Sequence, residues 1–549
     1  MKIAIVHEML IKFWGAERVL QEFMKMYPDA DVFTLMYDEE KVGSMFAKEK
    51  IHCSGPAQWL YTLTKKPRVS LPLMTFSVSG IDLSGYDLII SSSSGFAHGV
   101  NLSNKQRGRK IPFHICYCHS PARYLWDWTE QVQSEMKILF RPLVRLLFSV
   151  LRKIDLQASQ SPDIYIANSR EVQARIQKYY QRDSIIIYPP VDIARFKAGD
   201  NSVSQRSSYV ITSALTPFKR VDIPIRVLSK LGIPLKIIGA GAQEEELKKL
   251  AGTSVEFLWR VSDEEVVKVY KMARWFLMPQ KEDAGIAPIE AMAAGLPVFG
   301  QAAGGLLETS IDGVTGEFFP EETDESFEKW FLKFHENVQS WKYDNAENII
   351  SHAQWFWVEE FQKNIESIVI LSKLYETVIA FVDTSFWKKM PHFERTVYWL
   401  EKFLPNCSYI ERIAAYGHDI HRAFRETVPL DYTDIDYLIL HQEKWASIMW
   451  DFLHSQWASE EIIQRVSHLI SRHEFGGDIL QNALMDADSV SFFETNAETL
   501  VRKKVLIDGI PKILSKLESM YNRIHSLEAK NEARKNYEYW IWELKKLNT

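Results

Sequence analysis

The feature that most limits what this chain can fold into is a repeated alternation of short apolar runs with amphipathic stretches. Ile3–His7, Tyr86–Ser91, Ile111–Tyr117, Ile164–Ala167 and Ile185–Tyr188 are each long enough for one strand and apolar on both faces. Such runs between helices imply parallel strands joined by crossovers and covered on both sides. Residues 197–208 are small and polar and read as a linker. The rhythm then restarts with Tyr209–Thr212, Leu235–Ile238, Val255–Leu258, Trp275–Met278 and Pro297–Phe299. The expected class is therefore α/β, with two doubly wound, Rossmann-like domains at residues 1–200 and 201–372 facing each other across a cleft. Ligands of such domains bind at the carboxyl ends of the strands.

Residues 373–549 break the rhythm. They are rich in Trp, Phe and Tyr and read as a mainly helical extension of unknown role, a candidate for oligomerisation or partner docking. Val378–Val382 and Tyr437–Leu440 are candidate strands within it. Leu514–Leu547 reads as one charged amphipathic helix with Leu517, Tyr521, Ile524 and Leu527 on a stripe.

With 549 residues the chain is too long for one core. A formal net charge of −6 argues against bulk nucleic-acid binding. Of the four cysteines, Cys116 and Cys118 lie two apart on one face of a strand, one residue short of a metal knuckle or redox pair; reduced thiols are expected. No charged leader with an apolar core stands before Ile3, and no apolar run is long and charge-free enough to span a bilayer. The expected location is cytoplasmic, at most peripheral on the inner face of the membrane. Met136–Ile154 bears on the latter: Lys137, Arg141, Arg145 and Arg152 share one stripe, and Leu, Phe and Val cover the rest. It reads equally as a helix lying in an anionic membrane surface or as a core helix with arginines at the rim.

The segment Pro279–Gly305 carries most chemical information. Glu282 falls in a loop after a strand and Glu290 in the first turns of the next helix, with Gly285 and Pro288 suited to the turn between them. Both carboxylates can then face one cleft, where a ribose diol takes one and sugar hydroxyls the other, beside helix-start N–H groups that receive an anion. Two solvated helix-end acids would be the plainer reading of the pair alone. In Ser213–Asp222, Lys219 and Arg220 follow a strand end and can stabilise charge developing on a departing diphosphate. Gly15, after the first strand, lets backbone approach a phosphate at a helix start. His119 lies at the exit of a buried strand, where a structural role is otherwise the commoner one. Ser169 in Asn168-Ser169-Arg170 reads as well as an N-cap as a ligand. Gly239-Ala240-Gly241-Ala242-Gln243-Glu244 ends in Glu where a dinucleotide fingerprint needs glycine, so a tight strand–helix turn is expected and no NAD site. Asp29-Ala30-Asp31 and Asp434-Ile435-Asp436 each precede a candidate strand and read as turn residues; no cluster has metal-ligand spacing, and no catalytic metal is expected.

Pro279–Gly305 resembles the Glu-x7-Glu signature of the family-four retaining glycosyltransferases, in the subgroup with several bacterial surface-polysaccharide mannosyltransferases. The resemblance covers about residues 1–372 and implies the GT-B fold. It implies that Glu290 holds the nucleotide ribose, that Glu282 lies beside the transferred sugar, and that backbone around Ala284–Ile286 contacts sugar hydroxyls, with Gly285, Ile286 and Ala287 among the residues that bind the nucleotide sugar. It makes Lys219 the diphosphate lysine and His119 a contact to sugar hydroxyls, with Arg123 and Trp126 shaping the acceptor side. Trp14-Gly15-Ala16-Glu17-Arg18-Val19 resembles the family's GGAERV loop, with Trp14 in place of the first glycine. Many relatives carry an arginine five residues before the lysine; Ala214 stands there, leaving Arg220 as the second cation. The implied activity is metal-independent hexosyl transfer with retention by front-face displacement. The implied donor is a nucleotide sugar, GDP-mannose favoured, with no further cofactor. A glycan or lipid-linked glycan acceptor in surface polysaccharide (lipopolysaccharide) synthesis follows. The alternatives are a catalytically degenerate scaffold of a polysaccharide assembly complex and a nucleotide-sugar epimerase of the same fold.

Overall fold

The computed structural model describes residues 1–46, 48–53, 55–100, 112–127, 129, 141–196, 207–259, 261–340, 343, 346–386, 391–404, 407–424 and 435–547. The chain forms two compact units, Met1–Ile365 and Glu366–Thr549.

The first unit contains two parallel sheets. Seven strands form the first: β1 (Ile3–His7), β2 (Asp31–Thr34), β3 (Ile51–Cys53), β4 (Leu88–Ser93), β5 (Phe113–Cys118), β6 (Ile164–Ala167) and β7 (Ile185–Ile186), in the order β3-β2-β1-β4-β5-β6-β7. Six form the second: β8 (Ser208–Thr212), β9 (Leu235–Ile238), β10 (Val255–Trp259), β11 (Ala273–Met278), β12 (Val298–Gln301) and β13 (Gly316–Phe319), in the order β10-β9-β8-β11-β12-β13. In both sheets the chain winds outward one way and then reverses. The reversal falls between β1 and β4 in one and between β8 and β11 in the other. At each, neighbouring strand ends send their loops apart and leave a crevice, which is where such sheets bind ligands.

β1, β4 and β6 are buried along their whole length, as apolar runs covered on both faces must be. The second sheet packs on a core that includes Val210, Ile237, Phe276, Phe299 and the ring cluster Phe327, Phe331 and Phe334. β2, β3 and β13 escape the apolar-run criterion because they are three or four residues long and mix polar with apolar side chains. Asp31 lies within β2 itself, so Asp29-Ala30-Asp31 runs into the strand and is not only a turn.

The second unit is helical throughout its described residues, around a core that includes Trp445, Ile413, Leu484 and Leu517. Both strands expected there are corrected. Val378–Val382 lies in the helix Val358–Ser385, where Val378 and Val382, one turn apart, are fully buried. Tyr437–Leu440 lies in the helix Ile435–Ser455. A short apolar run does not by periodicity alone distinguish a strand from a buried helix face. The single terminal helix is also corrected to two, Ile510–Asn522 and Leu527–Lys546. The break forms because Ser526 caps the second helix while the Asp486 carboxylate accepts the backbone N–H groups of His525 and Ser526 at 2.5 and 2.8 Å. Leu527 is consequently exposed, off the buried stripe of Leu517 and Ile524.

Candidate active site

The loops leaving β1, β8 and β11 bring most of the expected residues together. After β11 the chain turns through Gly285 (φ +73°), a left-handed conformation that favours glycine, and enters the helix Ile286–Ala293. The loop is pinned from behind: Gly305 N–H donates to the Glu282 carbonyl at 2.9 Å, and a Cβ at Gly304 (φ +64°) would overlap that same carbonyl. This fixes Glu282 facing Lys219. Lys219 ends the single 3₁₀ turn Pro217–Lys219 after β8, and its ammonium pairs with Glu282 Oε1. Gln280 Nε2 donates to the same oxygen at 3.0 Å. Burial opposes the charge on Glu282, yet Lys219, Gln280 and Arg123 outweigh it and hold the carboxyl below its ordinary range.

Glu290 lies one helix turn deeper, and its situation is the opposite. It is almost fully buried, with Arg18 Nη1 at 3.3 Å and Arg195 Nη2 at 3.6 Å from Oε1. Both arginines also pair with Asp263, at 3.1 and 2.5 Å. Burial dominates, the two arginines only partly compensate, and the Glu290 pKa is raised. Two carboxylates eight residues apart are thus set in opposite senses by their surroundings.

Gly15 opens the helix Gly15–Met26 and meets the start of the helix Ile286–Ala293: a Cβ on it would stand 3.2 Å from Ile286 Cδ1. Arg18, on the first turn of that helix, therefore reaches Glu290. Trp14 does more than replace a glycine, for its exposed indole carries the Lys12 ammonium at 3.4 Å from the ring centroid. Burial lowers the Lys12 pKa against the pull of Glu17, and the positive charge of Lys219 lowers it further. Arg220 does not fill the place of a second cation beside Lys219. It takes a left-handed φ of +47° and turns to Asp222 at 3.4 Å and Glu322 at 3.2 Å.

His119 follows β5 and belongs to a relay under the Gly15 loop. Its Nε2 lies 2.8 Å from Ser92 Oγ, which lies 3.0 Å from His7 Nδ1; His7 Nε2 is 3.8 Å from Glu17, and Glu17 accepts the Trp14 backbone N–H at 2.7 Å. Desolvation, helped by His7, pushes the His119 pKa down to about 3, so its ring is neutral at physiological pH although its edge reaches the surface. Arg123 and Arg175 converge on Asp283, at 3.5 and 2.6 Å. Trp126 is held in the fold, its Nε1 donating to Asp155 at 2.7 Å and its ring stacked on Tyr179. Ser169 is an N-cap, accepting the Val172 N–H at 3.2 Å. Glu308 covers the start of the same helix, accepting the N–H groups of Arg170 and Glu171 at 2.8 and 3.1 Å. Gly239, at φ +147°, runs against the Ser213 carbonyl in the tight β9–helix turn.

The sequence reading missed Lys12, Arg18, Arg195, Arg175, His7 and Ser92. Arg18 stands inside the GGAERV-like loop that the reading quoted. Lys12, Arg195 and Arg175 carry no local pattern and matter because the two sheets face each other, whereas His7 and Ser92 reach His119 from neighbouring strands of the first sheet.

Two parallel sheets whose reversal points meet over paired carboxylates and a lysine define a GT-B architecture. Residues 15–195 match the family model described as Glycosyltransferase Family 4 and residues 194–353 the one described as Glycosyl transferases group 1. The first unit thus has the GT-B fold, and its two halves resemble glycosyltransferase domains. Two proteins named D-inositol 3-phosphate glycosyltransferase are similar. That of Streptomyces scabiei is 27% identical over 192 residues, 29% of this chain and 43% of that protein. That of Mycobacterium sp. strain KMS is 32% identical over 151 residues, 24% of this chain and 34% of that protein. The chain therefore spans less than half the length of these curated relatives. Among solved structures, Anabaena Alr3699/HepE in complex with UDP aligns with a TM-score of 0.52 at 18% identity, over 67% of this chain and 99% of that one. WaaG, a glycosyltransferase involved in lipopolysaccharide biosynthesis, aligns with a TM-score of 0.51 at 16% identity, over 66% and 98%. Both likenesses are of fold.

Proposed function

We propose that this protein transfers a hexose from a nucleoside-diphosphate donor to a glycan acceptor with retention at the anomeric carbon. The observation that carries the reading is the Lys219–Glu282 pair set beside buried Glu290 at the β8/β11 reversal, facing Gly15. Glu290 takes the ribose diol, exchanging its arginine contacts for two hydroxyls. Lys219 and Lys12 take the diphosphate, Lys12 supplying the second charge that Ala214 does not. Glu282 and neutral His119 contact the sugar. The acceptor hydroxyl attacks from the face the diphosphate leaves. The C–O bond to the phosphate breaks as the new one forms, the acceptor proton passes to the departing phosphate oxygen, and Lys219 stabilises the charge that develops there.

GDP-mannose is the donor we favour, and surface polysaccharide synthesis the setting. The curated relatives bear the name of a phosphorylated polyol, so D-inositol 3-phosphate belongs among the acceptors tested beside lipid-linked glycans. Peripheral attachment to an anionic membrane is part of this reading, although residues 136–140 of the expected helix lie outside the described residues. The helix Arg141–Ala158 exposes Leu143, Leu146 and Val150 along one side, with Lys153 beside them, while Arg141 and Arg145 lie toward the other. Arg152 does not join them, since its guanidinium bonds to the Leu125 carbonyl at 2.6 Å and to Thr129 at 2.5 Å. Among the described residues no helix is long and apolar enough to cross a membrane.

The test is nucleotide release from a panel of GDP-, UDP- and ADP-sugars with each acceptor, with Lys219→Ala alongside. Acceptor-dependent release from one donor, lost in the variant, is expected. Release from no donor, with no nucleotide bound, would overturn the enzyme reading in favour of a scaffold.

A further inference from the structure

We propose that the C-terminal unit binds one divalent transition-series cation on His392, His418 and Asp488. The three come from separate segments: His392 from the helix Pro391–Phe403, His418 from the end of the helix Tyr409–Gly417, and Asp488 from the middle of the helix Ile479–Thr495. One ligand atom of each lies within 4.8 Å of the other two, and all three residues are buried. His392 Nε2 is 3.0 Å and His418 Nε2 3.3 Å from the same oxygen, Asp488 Oδ1.

The hydrogen bonds behind the rings fix which nitrogen carries the proton of the neutral ring and which is left to face that oxygen. His418 Nδ1 lies 2.7 Å from the Ala415 carbonyl, which can only accept, so Nδ1 carries the proton. Ser491 Oγ donates to the His392 carbonyl at 2.8 Å, so at 2.9 Å it accepts from His392 Nδ1. With Nδ1 carrying the proton, a neutral ring leaves Nε2 as the atom that faces the carboxylate oxygen, able to take either a proton or a metal ion. Lone pairs converging in a buried space repel one another until a cation stands between them.

Two extra protons would satisfy the same geometry only by burying two imidazolium rings with centroids 5.4 Å apart, next to the Arg523 guanidinium that already holds Asp488 Oδ2. A single metal ion satisfies all three ligand atoms at once. The Nδ1–H bonds to a carbonyl and a hydroxyl are the outer contacts that orient metal-binding imidazoles, and Arg523 orients the carboxylate from its far side. Asp419, buried and paired with Arg422 at 2.9 Å, adds a further carboxylate beside His418. Two imidazoles and one carboxylate suit zinc, manganese or iron better than calcium or magnesium, and three protein donors leave positions open to water. Nothing in the order of residues announces the site, because its ligands stand 26 and 70 positions apart (418 − 392 and 488 − 418).

The experiment uses the full chain, stripped with chelator and dialysed against Mn²⁺ or Zn²⁺ alone, with bound metal counted by elemental analysis. One equivalent per chain is expected. His418→Gln should weaken binding by well over about tenfold, and Ser491→Ala, which touches only the outer contact, by about tenfold with the fold intact. Because a ligand variant can fail by unfolding, pulsed electron paramagnetic resonance on the Mn²⁺-loaded parent provides the independent reading: imidazole nitrogen coupling is expected. Absence of stoichiometric binding at submillimolar free cation, or bound Mn²⁺ without nitrogen coupling, would overturn the proposal and leave an imidazolium–carboxylate cluster.

Discussion

Replacing Glu290 by glutamine separates two effects that commonly move together. In the unliganded protein burial outweighs the attraction of Arg18 and Arg195, so the Glu290 pKa stands above its ordinary value. A carboxyl raised in this way stabilises the fold fully below its unfolded pKa and loses that contribution as pH rises through the folded one. At neutral pH its charge therefore weighs against folding, and an isosteric amide removes it. The arginines are not orphaned, because Asp263 still pairs with both, at 3.1 and 2.5 Å. Glu290→Gln is thus expected to melt at pH 7 no lower than the parent protein.

Nucleotide affinity should move the other way. A carboxylate accepting both ribose hydroxyls makes two charge-assisted hydrogen bonds. At about 1.5 kcal/mol each, losing them costs about 3 kcal/mol, roughly a hundredfold in Kd. Calorimetric titration with GDP and UDP, beside a thermal melt of each protein, reads both quantities. A melting point several degrees lower would show that the carboxylate is a structural partner of the arginines. An unchanged nucleotide Kd in a folded variant would refute its role at the ribose.

Glu282→Gln should behave in the opposite way. The Glu282 pKa is lowered, so its stabilisation is present above the unfolded pKa and lost as pH falls through the folded one; the variant should melt below the parent at neutral pH, with the gap closing in acid. Its kcat should fall by about a hundredfold or more while nucleotide Kd changes little. His119, depressed to about 3 from 6.5, contributes stability that is present above pH 6.5 and lost as pH falls toward 3. Urea unfolding at pH 7, 6 and 5 should show a slope steeper in the parent than in His119→Asn by up to about 1.4 kcal/mol per pH unit, and equal slopes would contradict a buried neutral ring. Gly304→Ala forces a left-handed residue and a Cβ against the Glu282 carbonyl; a loss of about 1–3 kcal/mol is expected in chemical denaturation, with activity falling further as Glu282 shifts.

The central strands of both sheets were legible in the chain, because strands buried on both faces must be apolar throughout, whereas the short, mixed β2, β3 and β13 were not. β1, β6 and β9 begin and end where their apolar runs do. Glu282, Glu290, Lys219 and Gly15 were legible because each sits in a short segment whose glycines and prolines dictate the local turn.

What those residues face is set by how the two sheets pack. Lys12, Arg18, Arg195 and Arg175 are ordinary surface cations in one dimension; they become site residues because the loops of two sheets meet. Arg220 has the right position in the chain and the wrong direction, since its left-handed backbone sends it to Glu322. Val378 and Val382 are equally apolar in a strand or a helix, and the neighbours they bury against choose between the two. His392, His418 and Asp488 carry no pattern at all, because a ligand set drawn from three helices is defined by distances that only packing creates.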